Sequence, residues 1–290
     1  MLVRVLSGLG IGVVMVLLFV LNLFVPYVMQ TFASLLILIG IYEALKTAGL
    51  EKKYQIIIPC ELFALSVPWL IMSEYMAAAA LVYVMVMFAV MLFSYDSIKF
   101  SEISYAVLTS LMIGFGLGSL AGLSVHAGFV NGSADYSGKL TNLFVFTAMT
   151  IPWGADIGGY FAGVLFGKHK LCPKVSPKKT VEGFVGSIIL GTLLPVLFSS
   201  IFVKASSLGA DYIIDYPMLT VIALCSVMVS VLGDLTFSII KRNYGIKDYG
   251  NLIPGHGGIL DRFDSVIFVA PVMLMCLQYI PVIAVKAAAL

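Results

Sequence analysis

Nine stretches of this chain run apolar for about 20 residues each, the length of helix that crosses a hydrocarbon core roughly 30 Å thick. They lie near residues 3–24, 27–46, 55–72, 76–94, 104–124, 141–166, 181–203, 217–240 and 264–286. Lipid offers no partner to an unpaired backbone N–H or C=O, so such runs must fold as helices. The fold class expected is therefore all-α, a polytopic integral membrane protein of about nine transmembrane helices. A composition of 61% hydrophobic and 11% charged residues excludes an ordinary soluble domain. With 17 Lys and Arg against 15 Asp and Glu, the charge is too balanced to argue for a nucleic-acid partner. The four cysteines stand far apart with no CxxC pair, which gives neither a disulfide framework nor a zinc site. The Met1 to Val25 stretch imitates a signal peptide but lacks a small-x-small cleavage site, so it is read as a retained first helix.

Orientation follows from where the cations fall. With the N-terminus in the cytoplasm, all of the 17 basic residues except Lys139, Lys204 and Lys286 lie at inner ends or inner loops. Lys46, Lys52, Lys53 and Lys99 alone favour this arrangement, and the positive-inside rule then selects a cytoplasmic N-terminus and an outer C-terminus. Residues 167–180 and 241–263 become cytoplasmic loops. Polarity is lopsided: the first five runs are nearly featureless, with Glu43 and Glu61 as their main acids, whereas polar and glycine-rich detail gathers after residue 140. Residues 1–140 are accordingly read as a transmembrane scaffold and residues 141–290 as the catalytic region.

Two constellations carry chemistry. In the first, Asp234, Ser238, Lys241 and Arg242 fall at i, i+4, i+7 and i+8, one stripe of the eighth helix. A carboxylate within an apolar run is costly, so Asp234 either serves a ligand or pairs with a neighbouring cation. Lys247 and Asp248 then lead into Pro254, Gly255, His256, Gly257 and Gly258, a loop whose glycines permit close approach by a ligand. Asp261, Arg262 and Asp264 come next, with the acids at i, i+3 on one helical face; hard oxygens so placed suit Mg²⁺, or simply decorate a helix start. In the second constellation, Asp156 precedes Gly159, Gly163 and Gly167, whose spacing suggests close helix packing, and then Lys168, His169 and Lys170. Ser176, Lys178, Lys179 and Thr180, with Glu182 just beyond, form either a phosphate cradle at a helix start or a basic patch on anionic lipid. His126 and His169 are expected to be solvated in loops.

The run S-x-x-K-R-x4-K-D-x-G-x2-I-P-G-H-G-G-x-x-D-R-x-D from Ser238 to Asp264, with the stretch from Asp156 through GKHK to SPKKTVEG, resembles the CDP-diacylglycerol synthase (phosphatidate cytidylyltransferase) family of the bacterial type. The first 140 residues resemble it in hydropathy and span count. The resemblance implies a nucleotidyltransferase of phospholipid biosynthesis that condenses CTP with phosphatidic acid, giving CDP-diacylglycerol and pyrophosphate, in the cell membrane with its site facing the cytoplasm. It implies Mg²⁺, leaves a second cation open, and suggests a homodimer in contact with membrane lipid. On that basis Asp234, Asp261 and Asp264 are candidate metal ligands. Asp156, Ser238, Lys241, Arg242, Lys247, Asp248, His256 and Arg262 are candidate catalytic residues. Ser176, Lys178, Lys179, Thr180, Glu182, Gly255, Gly257 and Gly258 are candidate substrate contacts. The three metal-ligand acids are expected to converge, and their Asp→Asn variants to stay folded and inactive. A transporter with an ion or phosphate-bearing substrate site is the rival reading, since intramembrane acids and broken helices also build such sites.

Overall fold

In the computed structural model, which describes residues 2–130 and 138–286, the apolar runs become helices and the segments between and after them carry two short two-stranded sheets. Among the described residues, nine helices have 14 residues or more: α1 (Leu2–Leu21), α2 (Val28–Thr47), α3 (Tyr54–Leu70), α4 (Met76–Phe93), α5 (Phe100–Val130), α6 (Gly138–Phe166), α7 (Val181–Ala205), α9 (Tyr216–Asn243) and α11 (Val266–Tyr279). Two four-residue helices, α8 (Leu208–Asp211) and α10 (Leu260–Phe263), complete the set. Among the described residues, five helices, α2, α4, α5, α7 and α9, are long and apolar enough by length and composition to cross a membrane. On α4, Leu81, Met85 and Leu92 are 57%, 60% and 69% exposed, an apolar surface that suits lipid as its solvent. The side chain of Arg4 lies outside the described residues.

The chain divides into two compact units that interleave in sequence. The first comprises Met1–Leu21, Tyr27–Gly122 and Lys241–Phe263; the second comprises Asn22–Pro26, Leu123–Ile240 and Asp264–Leu290. Both draw on the C-terminal half.

In the first unit, Ile37, Ile41, Ile113 and Leu117 are essentially inaccessible, so α2 and α5 supply much of the core. Helix α2 ends where Gly49 adopts φ +72°, and the N–H of buried Leu50 returns to the Leu45 carbonyl at 2.9 Å. That six-to-one bond satisfies a helix-end acceptor and places an apolar anchor just past it. Lys53 then donates to the Glu102 carboxylate at 2.6 Å and to the Ser97 carbonyl at 2.8 Å, tying the start of α3 to the start of α5.

In the second unit, α6 and α7 meet through small residues. A Cβ on Gly158 would stand 2.1 Å from the Gly186 carbonyl oxygen, so only glycine permits this backbone separation. The Ser187 hydroxyl adds a 2.7 Å bond to the Ala155 carbonyl. The segment before α7, expected as a plain loop, is an antiparallel hairpin of β1 (Lys170–Cys172) and β2 (Ser176–Thr180), with Lys170 opposite Thr180.

Two expectations are corrected. The last helix does not run to residue 286: it stops at Tyr279, because Pro281 disfavours helical backbone at Ile280, which takes φ −118°, ψ 114°. Beyond it β4 (Ile283–Val285) pairs antiparallel with β3 (Tyr212–Ile214). This small sheet and the β1–β2 hairpin adjoin opposite ends of α7, whose 25 residues rise about 37 Å. His126 is not in a loop either. Helix α5 continues past it, and its ring lies 5.9 Å from that of Phe144, half-buried.

Candidate active site

The second unit builds a cavity of about 190 Å³ from four pieces of chain that the sequence separates widely. Helix α6 contributes Asp156, the hairpin contributes Lys178, Lys179 and Thr180, and α9 contributes Asp234. Asp156 lies on the exposed side of α6, two residues from both Gly154 and Gly158 of the face that packs on α7. Lys178 is exposed and Lys179 half-buried, with its ammonium paired to Asp234 Oδ2. The Ser238 hydroxyl donates to Asp234 Oδ1 at 3.3 Å, one helical turn on. Asp234 thus has the neighbouring cation that its cost in an apolar helix demands, while keeping its carboxylate on the cavity wall.

The hairpin that delivers the lysines is fixed at both edges. Thr180 caps α7 by accepting the Gly183 N–H at 3.0 Å, so its hydroxyl is engaged by the helix start. Glu182 accepts the N–H groups of Lys168 and His169 at 3.1 and 3.2 Å and pairs with His169 Nδ1 at 2.6 Å. Both residues hold the hairpin in place. Ser176 lies at the far edge, opposite Cys172.

Gly233, just before Asp234, brings the next acid close. A Cβ there would meet the Phe268 ring at 2.9 Å and the Asp264 carbonyl oxygen at 3.1 Å, so α9 contacts the backbone at the start of α11 directly. Asp264 accepts the Ser265 N–H at 2.7 Å, and Ser265 lines the cavity.

The first unit holds the glycine-rich loop and a second cavity, of about 470 Å³, lined by Lys247, Asp248, Gly255, His256, Gly257 and Arg262 among others. The local sequence explains the turn. Pro254 supplies the fixed φ of a second turn position, and Gly255, at φ +78°, supplies the third; the His256 N–H closes it on the Ile253 carbonyl at 2.9 Å. Asp261 organises the chain on both sides of this turn. Its Oδ1 receives Lys241 Nζ at 2.9 Å, and its Oδ2 receives the N–H groups of Tyr249 at 2.8 Å and Gly258 at 2.9 Å. With side chains only 11% and 3% exposed, Lys241 and Asp261 form a buried pair that joins the end of α9, the loop and α10. Arg242 donates to the Ile246 carbonyl at 3.1 Å, reinforcing the chain reversal at the end of α9.

Two residues outside the sequence-derived set hold this loop. Glu43 of α2 accepts the N–H groups of Ile259 at 3.1 Å and Leu260 at 3.0 Å. Ser7 of α1 lies 2.8 Å from His256 Nδ1, leaving Nε2 as the other ring nitrogen on the cavity-lining histidine. Neither contact has a local sequence signature, since 216 and 249 residues intervene. An acid inside an apolar run is the one signal that could have singled out Glu43.

The residues therefore gather in two groups: Asp156, Lys178, Lys179, Thr180 and Asp234 in one, and Lys247, Asp248, His256 and Arg262 with Gly255 and Gly257 in the other. Among the described residues, no three His, Cys, Asp or Glu side chains are grouped as a ready metal centre. The donor chemistry of the first cavity still fits a hard cation. Mg²⁺ is commonly held by one or two carboxylates with substrate phosphates completing its shell, and Asp156 and Asp234 both line this wall.

Comparison with known proteins gives a consistent result. A model of the cytidylyltransferase family matches residues 2–280. The chain is 38% identical to the phosphatidate cytidylyltransferase of Bacillus subtilis over 182 residues, 63% of this chain and 61% of that protein. It is 45% identical to the phosphatidate cytidylyltransferase of Haemophilus influenzae over 136 residues, 47% of this chain and 45% of that one. The protein of the same name from Staphylococcus saprophyticus is 45% identical over 130 residues, 45% of this chain and 47% of its own length. These alignments span between 45% and 61% of the relatives' lengths.

Proposed function

The chain belongs to the cytidylyltransferase family, and from that premise we propose that it transfers a cytidylyl group from CTP to phosphatidic acid, giving CDP-diacylglycerol and pyrophosphate. The observation that carries the reading is the cavity where carboxylates of α6 and α9 meet the lysines of the hairpin, at the end of apolar helices. A water-soluble polyanion and a lipid phosphate must meet at such a boundary. The basic hairpin and the Lys241–Arg262 segment support a cytoplasmic placement for this chemistry, where CTP is found.

The reaction sets a specific demand. An oxygen of the lipid phosphate, already anionic at neutral pH, attacks the α-phosphorus of CTP; the bond from that phosphorus to the bridging oxygen breaks, and its electrons leave with pyrophosphate. No general base is required, so the protein's task is to bring two polyanions together and neutralise developing charge. Lys178 and Lys179 supply fixed cations beside the first cavity, and Lys247, Arg262 and His256 supply donors to phosphate oxygens in the second. Asp234 and Asp156, with Asp264 adjacent, would hold a Mg²⁺ that supplies positive charge to the phosphates. Asp261, engaged by Lys241 and two loop N–H groups, takes the role of ordering the loop.

Purified protein supplied with radiolabelled CTP, phosphatidic acid and Mg²⁺ is expected to form a labelled lipid that depends on all three. Label that stays in the aqueous phase with phosphatidic acid vesicles present would refute the proposal.

A further inference from the structure

We propose that Glu43 is a positioning residue for the glycine-rich loop: from within α2 it grips the main chain at Ile259 and Leu260, and so sets His256 and Arg262 at the second cavity. The consequence for catalysis rests on the transferase reading above; the structural part does not.

Glu43 is 5% exposed, in a helix otherwise made largely of apolar and small residues. A carboxylate there loses hydration worth several kcal/mol, so something specific must compensate it. The compensation comes from the loop. Both oxygens accept main-chain N–H groups, at 3.1 Å from Ile259 and 3.0 Å from Leu260, and bonds to an ionised acceptor are the stronger kind.

Shape repeats what the hydrogen bonds show. A Cβ on Gly250 or on Gly258 would stand 2.4 Å from Glu43 Oε1, so the loop backbone closes on the carboxylate from two places where no side chain can intervene. One turn earlier on the same helix, a Cβ on Gly40 would lie 3.1 Å from Leu260 Cδ2, and Leu260 is fully buried. Gly40 therefore receives the side chain of the residue whose N–H Glu43 holds. Asp261 binds the loop from the other side through the Gly258 N–H. Main chain at 258–260 is thus gripped by two carboxylates, and His256 and Arg262 flank that stretch by two residues on either side. An apolar helix that served only to fill a core would gain nothing from an acid at this position.

The test is Glu43→Gln in purified protein in lipid nanodiscs. The amide keeps one acceptor but turns an N–H toward the second loop N–H. Hydrogen exchange of peptides covering residues 256–262 is expected to quicken about ten- to a hundredfold, the loss of one charge-assisted bond, while the 170–180 hairpin exchanges as in wild type. In the folded fraction the KM for CTP is expected to rise about tenfold, from the same loss. Wild-type exchange at 256–262, or a lower folded yield with unchanged KM for CTP, would overturn the proposal. If Glu43→Gln does not fold, Gly258→Ala presses on the same carboxylate from the loop side and must give the same exchange and KM signature; wild-type values there also overturn it. Absence of transferase activity in the wild type would count against the proposed function, and the exchange measurement would still decide the role of Glu43.

Discussion

Replacing Asp261 by asparagine and Asp234 by asparagine removes one charge each, yet the structure assigns the two substitutions very different costs. The Lys241–Asp261 pair is buried, with side chains 11% and 3% exposed. Asparagine can keep its carbonyl toward the N–H groups of Tyr249 and Gly258 only by turning its NH₂ toward the Lys241 ammonium, which then loses its counter-charge in a desolvated place. Breaking a buried pair from one side costs about 3–5 kcal/mol. At about 2–4 °C per kcal/mol for a chain of this order of size, that lowers the melting temperature by roughly 6–20 °C. The Lys179–Asp234 pair faces a cavity, with side chains 27% and 24% exposed, and such partly hydrated pairs contribute about 0–1 kcal/mol. Asp234→Asn should therefore melt within about 4 °C of wild type while losing activity. Circular dichroism in detergent, with each variant also assayed for lipid labelling, separates the two. Adding Lys241→Met to Asp261→Asn removes the stranded charge and should recover about 1 kcal/mol or more. An Asp261→Asn protein that is inactive but melts with wild type would refute this assignment and return Asp261 to the role of a metal ligand.

Other expectations rest on the same geometry. Lys178→Ala and Lys179→Ala remove cations from the first cavity without emptying a core, so kcat/KM should fall by about tenfold or more with an unchanged melting temperature; normal kinetics in the double variant would make the hairpin a lipid-surface patch. Ser7→Ala leaves His256 without its 2.8 Å partner and should lower kcat/KM severalfold, whereas unchanged kinetics would show that the His256 orientation is set elsewhere. Chelation should abolish activity and added Mg²⁺ restore it; full activity in excess chelator would exclude the metal. Single cysteines in place of Lys178 and Lys247 should resist an impermeant thiol reagent added to intact cells and react in inverted vesicles, and labelling from outside would reverse the orientation.

Much of the fold was legible because hydropathy sets helices directly: each of the nine apolar runs overlaps a long helix of the structure. What escaped is what lipid does not dictate. The β1–β2 hairpin is short and polar, with Pro173 and Pro177 in it, and reads as loop; the β4 strand is apolar and reads as more helix, until the backbone restriction imposed by Pro281 is counted. Part of the grouping was legible by residue type, since Asp156, the hairpin lysines and Asp234 line one cavity. Their division of labour was not. Asp261 and Asp264 stand three residues apart and look equivalent in sequence, but one is tied by Lys241 and two loop N–H groups while the other sits at the start of α11 beside Gly233. Glu43 and Ser7 belong to helices read as scaffold, and only tertiary structure brings them to the loop.

The central claim is that this chain moves the α-phosphorus of CTP onto a lipid phosphate. Two parallel reactions with phosphatidic acid, one with CTP labelled at the α-phosphorus and one with CTP labelled at the γ-phosphorus, test it most directly. The α-label should appear in the lipid and the γ-label in pyrophosphate, in equal amounts. A γ-label in the lipid, or CTP consumed with neither label reaching the lipid, would contradict it.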